Sequence, residues 1–134
     1  MRPESPAGAT GGQAAARPST HERGARGEER AAEYLRGRGW TILARNVRSR
    51  HGEVDLVAAR GETVAFVEVK AWRVLGEADL EQAIGRRKQR RIGEAARLFL
   101  ARRPDLAARR LRFDVVFLGE DPPRLRHIED AFGG

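Results

Sequence analysis

Two short segments place charged side chains where they could do chemistry. Glu53 and Asp55 alternate with Val54, Leu56 and Ala58, and further on Glu68 and Lys70 alternate with Ala65, Val67 and Val69. Alternate residues of an extended chain share a face, so Glu68 and Lys70 project together with Val64 and Phe66. Between the segments lies Arg60-Gly61-Glu62-Thr63, and Gly61-Glu62 as a two-residue loop suits a type II′ turn. That register sets Arg60 opposite Thr63, Val57 opposite Phe66, Asp55 opposite Glu68 and Glu53 opposite Lys70; a slip of one residue would undo it. Two carboxylates face to face destabilise a sheet. A divalent cation is the natural compensation, because Mg²⁺ takes carboxylate oxygens, keeps several waters and binds phosphates. Lys70 would then orient or deprotonate an attacking water, or stabilise charge on a phosphate. The plain alternative is a solvated strand face whose ion pairs contribute little. Val64 and Phe66 on the same face argue against it.

The elements that must position these groups follow from periodicity. Residues 21–37 read as a helix, with Ala31, Ala32 and Leu35 on one face with Glu28, and Gly37 and Gly39 end it. Glu28 therefore points toward the sheet, where a carboxylate needs a partner. Extended runs are expected over 40–44, 52–59 and 63–70. A long helix is expected over 79–102, carrying Leu80, Ile84, Ile92, Ala95, Ala96 and Phe99 at helical spacing and closed by Pro104. Residues 111–118 form a further strand and 125–132 a short final element. The order α-β-β-β-α-β predicts an α/β fold, a small mixed sheet flanked by helices. The long helix would be a right-handed crossover if the third and fourth strands are parallel.

Residues 1–20 hold no large apolar side chain beyond Met1 and read as a disordered tail ahead of a single domain over 21–134. The chain carries 26 Lys plus Arg against 19 Asp plus Glu, a formal charge of +7, which favours a polyanionic partner. The absence of cysteine excludes disulfides, thiol catalysis and a cysteine zinc site. No apolar run approaches the roughly 20 residues of a bilayer span, and the N-terminus lacks a signal-type apolar centre. The simplest expectation is a cytoplasmic protein with no membrane partner.

The run Gly24…Gly27-Glu28…Ala31…Leu35, then GEVDLVA at 52–58, FVEVK at 66–70 and Lys88-Gln89, resembles the YraN family of uncharacterised bacterial proteins. That family is similar to the restriction-endonuclease-like, PD-(D/E)XK nucleases and to archaeal Holliday-junction resolvases. The resemblance covers residues 22–132. It implies a restriction-endonuclease-like fold in which Asp55, Glu68 and the Val69 carbonyl hold Mg²⁺ or Mn²⁺. It further implies Lys70 as the catalytic lysine and Glu28 as an auxiliary ligand from the first helix. Val54 stands where the superfamily name places proline. Ala71-Trp72-Arg73 also departs from the expected small residue followed by Arg, so that arginine receives no role.

Arg86, Arg87, Lys88, Arg90 and Arg91 put five cations into six positions of the long helix, and a helix distributes them over more than one side. They are the expected phosphate contacts. Lys88 shares the inward stripe of Ile84 and Ile92 and is the best helix-borne site candidate, with Gln82 a second. The bland reading is a solvated helix face. Trp72 could stack on an unpaired base, though a cap on the core edge is the commoner use. His21, His51 and His127 show no ligand-type spacing and read as surface residues.

Three functions fit. The first is a metal-dependent nuclease acting on DNA (favoured over RNA), including branched or single-stranded substrates. The second is a non-catalytic nucleic-acid-binding module on the same fold. The third is an assembly factor whose carboxylate face binds a basic partner. Nucleases that cut both strands often dimerise, so a homodimer is one arrangement the reading allows.

Overall fold

A computed structural model describes residues 20–72, 84–120 and 122–132, with side chains from Arg26 onward. The elements are α1 (Thr20–Gly37), β1 (Thr41–Ser49), β2 (Gly52–Arg60), β3 (Thr63–Ala71), α2 (Arg86–Ala101), a 3-10 turn (Pro104–Leu106), β4 (Arg110–Glu120) and β5 (Pro123–Ile128). The strands form one five-stranded sheet in the order β1-β2-β3-β4-β5, antiparallel except for the parallel pair β3–β4. The expected α-β-β-β-α-β order is present, and the final element is a fifth, antiparallel strand on the β4 edge.

Each helix covers one face. On the α1 side Ala31, Ala32 and Leu35 pack with Trp40, Leu56, Ala58, Ala65, Val67, Val116 and Leu118. On the α2 side Ile92, Ala95 and Ala96 pack with Val54, Val57, Val64, Phe66, Val115 and Phe117. Every residue of β3 from Val64 to Val67 is fully buried because both of its faces are covered. Val64 and Phe66 thus lie beneath α2 and are not part of a solvent face. Burying large apolar side chains contributes about 1.5–3 kcal/mol each, so this central strand is the most securely placed element.

The β2–β3 hairpin has the expected near-turn register, Arg60 with Thr63 and Val57 with Phe66. Gly61 adopts φ 57° while Glu62 is not left-handed, as a type II′ turn requires. α2 differs from the 79–102 helix. Ile84 and Gly85 stand outside it, Gly85 being the extended N-cap with φ −70° and ψ 167°, so the helix starts at Arg86. Residues 79–83, and with them Leu80 and Gln82, lie outside the described residues. Gly52 lets α2 come down onto β2: a Cβ there would run into the Arg91 carbonyl group.

Candidate metal and active site

Glu68 is the anchor. It sits on β3 beside Val115 of β4, faces α2, and is 5% exposed. Lys70 follows two residues later beside Phe117, so it faces the same side. It is half-buried and pairs with no carboxylate among the described residues. The Lys88 ammonium comes down from the core stripe of α2 to within 3.1 Å of Glu68 Oε2. The other carboxylate oxygen, Glu68 Oε1, is buried and accepts no hydrogen bond among the described residues.

Asp55 reaches this centre by a route that simple alternation does not describe. The β2–β3 ladder stops at Leu56–Val67, so Asp55 is not the ladder partner of Glu68, nor is Glu53 that of Lys70. Instead the Val69 N–H donates to Asp55 Oδ2 at 2.8 Å, and the aspartate side chain takes over where the strand pairing ends. The Val69 carbonyl leaves its residue toward the same edge of β3, as both main-chain groups of one strand residue do. Glu53 pairs with Arg48 across 3.8 Å at the surface and takes no part.

The cause of the break lies in both strands. Val54 and Val57 both pack on the α2 side although they are three residues apart, and so do Ala44 and Val47 on β1. Alternation must therefore skip between these positions in each strand, besides the register shift of β1 between Ile42 and Ala44. The skip falls at Asn46, which adopts φ 49°, and at Asp55, which would otherwise be its ladder partner between the Arg45–Leu56 and Val47–Val54 pairs. Asparagine tolerates that conformation better than most residues. The opened sheet lets a carboxylate from α1 meet one from the α2 face. Glu28 lies beside Asn46 and Asp55, and Asp55 in turn lies beside Glu68.

Electrostatics follow from this crowding. Burial and the neighbouring Asp55 charge push the Glu68 carboxyl up to about 7, with Lys88 opposing. Burial also raises Asp55, against the pull of the Val69 N–H, and burial and Asp55 together raise Glu28. Three acids that resist ionising together can share protons or a cation. Among the described residues no three His, Asp or Glu side chains already stand as a metal cage. The fit to a divalent cation rests on the oxygen donors and on the buried, unpartnered Glu68 Oε1.

A stability consequence can be measured. In the metal-free protein Glu68→Gln removes a carboxyl whose folded value lies above its unfolded value of about 4.3. Wild type therefore loses stability relative to the variant as pH rises from about 4 to the folded value of about 7. Urea denaturation in EDTA should find the variant more stable at pH 8, on the order of 1–3 kcal/mol, and much less so at pH 4. A gain independent of pH would contradict a raised Glu68.

The remaining sequence candidates divide clearly. Arg86, Arg87, Arg90 and Arg91 are exposed on α2 and do not reach the carboxylates, whereas Lys88 does. Trp72 packs against the α2-side core with Arg124 over its ring at 4.4 Å, which is the core-edge role. His127 corrects the surface expectation: its side chain is 5% exposed and its Nε2 lies 2.7 Å from Asp114 Oδ2. His51 is exposed as expected.

Asp114 is the polar residue that sequence reasoning passed over. Its fully buried carboxylate accepts from Arg112 Nε and Nη2 at 3.0 and 2.9 Å and from the Asp130 N–H at 2.9 Å, besides His127. Burial pushes its carboxyl up, yet these donors outweigh burial and hold it below the usual value. An ionised Asp114 only accepts, so His127 Nε2 donates to it, while His127 Nδ1 lies in hydrogen-bond contact with the Tyr34 hydroxyl across 3.0 Å. The network ties α1, β4, β5 and the final turn together. The available signal was an aspartate inside the apolar strand Leu111–Leu118.

Comparison with known proteins gives a consistent answer. The family model described as "Uncharacterised protein family UPF0102" matches residues 27–118. The chain is similar to a UPF0102 protein of Mesorhizobium japonicum, 47% identical over 121 residues that cover 90% of this chain and 94% of the relative. It is similar to one from Azorhizobium caulinodans, 45% identical over 114 residues and 85% of each chain. A third, from Treponema pallidum, is 43% identical over 106 residues, 79% of this chain and 84% of that one.

Proposed function

As a member of the uncharacterised protein family UPF0102, the family that its motifs resembled under the name YraN, the chain belongs to a group whose name states no activity, and we propose from its site that it is a metal-dependent nuclease of the restriction-endonuclease-like type, hydrolysing DNA phosphodiester bonds. The observation that carries this reading is the run of carboxylates from three different elements, Glu28 beside Asp55 and Asp55 beside Glu68, ending at the buried Glu68 Oε1. Structural carboxylates that repel one another and raise each other's pKa are expensive to keep without a ligand.

Asp55, Glu68 Oε1 and the Val69 carbonyl would hold Mg²⁺ or Mn²⁺, with Glu28 as auxiliary ligand. The bound cation supplies Lewis-acid stabilisation of charge on the phosphate oxygens. The protein groups do the rest. The Val69 N–H fixes the Asp55 carboxylate, Lys88 holds Glu68 by its other oxygen, and Lys70 orients the attacking water and offsets charge on the scissile phosphate. Attack is in line, forming one P–O bond to water as the opposite P–O bond breaks.

The test is cleavage of end-labelled single-stranded, duplex and four-way-junction DNA with Mg²⁺ or Mn²⁺, beside an EDTA control. Cutting that EDTA abolishes supports the reading and ranks substrates; DNA that is bound and never cut overturns it. A second reading, a non-catalytic nucleic-acid-binding module, draws on one observation: Lys88 already neutralises part of the Glu68 charge without a metal. That module would bind DNA equally well in EDTA and show no cleavage.

A further inference from the structure

A second feature of α2 lies on the flank turned away from Lys88. A groove of about 790 Å³ runs between this flank and the start of β4, with the final turn of the chain at its side. Its floor is apolar and aromatic, made by Leu100, Leu111, Phe113 and Phe132. Phe132 stacks on Phe113 with ring centroids 5.1 Å apart and planes at 20°, and Ala131 N–H bonds to the Phe113 carbonyl, which fixes the turn. Leu111 is 44% exposed, the large apolar side chain left open among the described residues.

The rim is cationic. Arg86, Arg90 and Arg97 all line it, one to two turns apart along α2. Arg97 is neutralised by Glu94 at 2.6 Å, whereas Arg86 and Arg90 pair with no carboxylate among the described residues. The groove thus offers two arginines about 6 Å apart along the helix axis, neither paired with a carboxylate among the described residues, above flat aromatic surface. An anionic ligand with planar apolar parts complements both features, and an unpaired nucleic-acid strand has this chemistry: phosphates for arginine, exposed base faces for Phe132. A duplex presents phosphates alone, because its bases are already stacked on one another. An acidic peptide presents charge without a planar face at each repeat.

We propose that this groove is a single-strand binding site that receives an unpaired stretch of the nucleic-acid substrate, with phosphates on Arg86 and Arg90 and a base stacked on Phe132. The assignment rests on the nuclease reading for its choice of ligand and deepens it by naming the substrate class as nucleic acid with an unpaired segment. Lys88, between Arg86 and Arg90 in sequence, points to Glu68 on the other side of α2, so the groove and the carboxylate centre flank the same helix.

The experiment is fluorescence anisotropy of the full chain in EDTA, where cleavage is silent, using a labelled 12-nucleotide strand and its duplex. Single strand should bind more tightly than duplex. Phe132→Ala should weaken single-strand binding about tenfold and leave duplex binding unchanged. Phe132→Leu, which keeps apolar volume in the groove, should show the same selective loss. Arg86→Gln with Arg90→Gln should weaken single-strand binding and flatten its salt dependence by about one to two in slope. Equal loss for both DNA forms, or none, in both Phe132 variants with unchanged melting temperatures overturns the site. Displacement of the strand by polyglutamate at equal charge concentration would overturn it in favour of an acidic peptide. Metal-dependent cleavage is scored separately: wild type that cuts DNA while the groove variants bind normally sinks this site and leaves the nuclease reading standing.

Discussion

Asp55→Ala is expected to lower the rate of metal-dependent DNA cleavage by about a thousandfold or more, and Glu68→Ala to do the same. A catalytic metal contributes several kcal/mol of transition-state stabilisation, and about 4 kcal/mol corresponds to a thousandfold. In the proposed site Asp55 would act twice, as a metal ligand and as the acceptor that holds the Val69 N–H where the β2–β3 ladder has ended. Asp55→Asn keeps an acceptor for that N–H while removing the charge, so it separates the two roles. Its melting temperature should stay near wild type while its activity falls with that of the alanine variant. Lys70→Ala should lower kcat strongly with little change in metal affinity, since Lys70 pairs with no carboxylate among the described residues. Single-turnover cleavage with Mn²⁺ titration reads all of these. Wild-type rates in Asp55→Ala, Glu68→Ala and Lys70→Ala together would end the nuclease proposal.

Asp114→Ala is expected to cost about 3–5 kcal/mol of stability, the largest effect predicted outside the site. Removing one member of a buried ion pair leaves its partners charged or unsatisfied in a low-dielectric interior. Here Arg112, 18% exposed, His127, 5% exposed, and the Asp130 N–H would all lose their acceptor. Arg112 also lies over the Trp40 ring at 5.2 Å, as Arg60 does at 4.5 Å, so its release would loosen the α1-side core. Because Asp114 is held below its unfolded value of about 3.9, its contribution is fully present above pH 4–5 and disappears as pH falls through the folded value. Urea unfolding at pH 7 and pH 3 checks both statements: the gap between wild type and Asp114→Ala should be wide at the first and narrower at the second. A loss below 1 kcal/mol at pH 7 would show the network to be dispensable.

Much of the architecture was written in local pattern. The two-residue turn at Gly61-Glu62 needs only one residue with positive φ, and glycine in that place fixes both the hairpin and its near register. The stripe of Ala31, Ala32 and Leu35 places α1, and its spacing to Glu28 aims that carboxylate at the sheet. Lys88 was reachable from Ile84 and Ile92 by helical spacing, and it does face inward, even though Ile84 itself lies before the helix begins. The two faces of β3 were ambiguous from sequence, because charged residues at one end of an apolar strand suit either a solvent face or a buried centre. Packing of α2 onto Val64 and Phe66 resolved that ambiguity.

The sequence by itself determined the order of elements, the candidate acids and lysines, and the excess of positive charge. Each is a property of residue type or of spacing within one element. Only the tertiary structure decided how the acids meet. Period-two alternation assumes a regular ladder, and it put Asp55 directly across from Glu68. The skip at Asn46 and Asp55 instead opens the sheet, so Glu28 from one face and Glu68 from the other converge on an aspartate that replaces a strand hydrogen bond. The same limit hid the Asp114 network, whose members Tyr34, Arg112, Asp114, His127 and Asp130 are spread over more than 90 positions of the chain. No local pattern records a contact between residues that far apart. Such contacts exist because burying a charge forces the fold to bring it partners from wherever the chain can supply them.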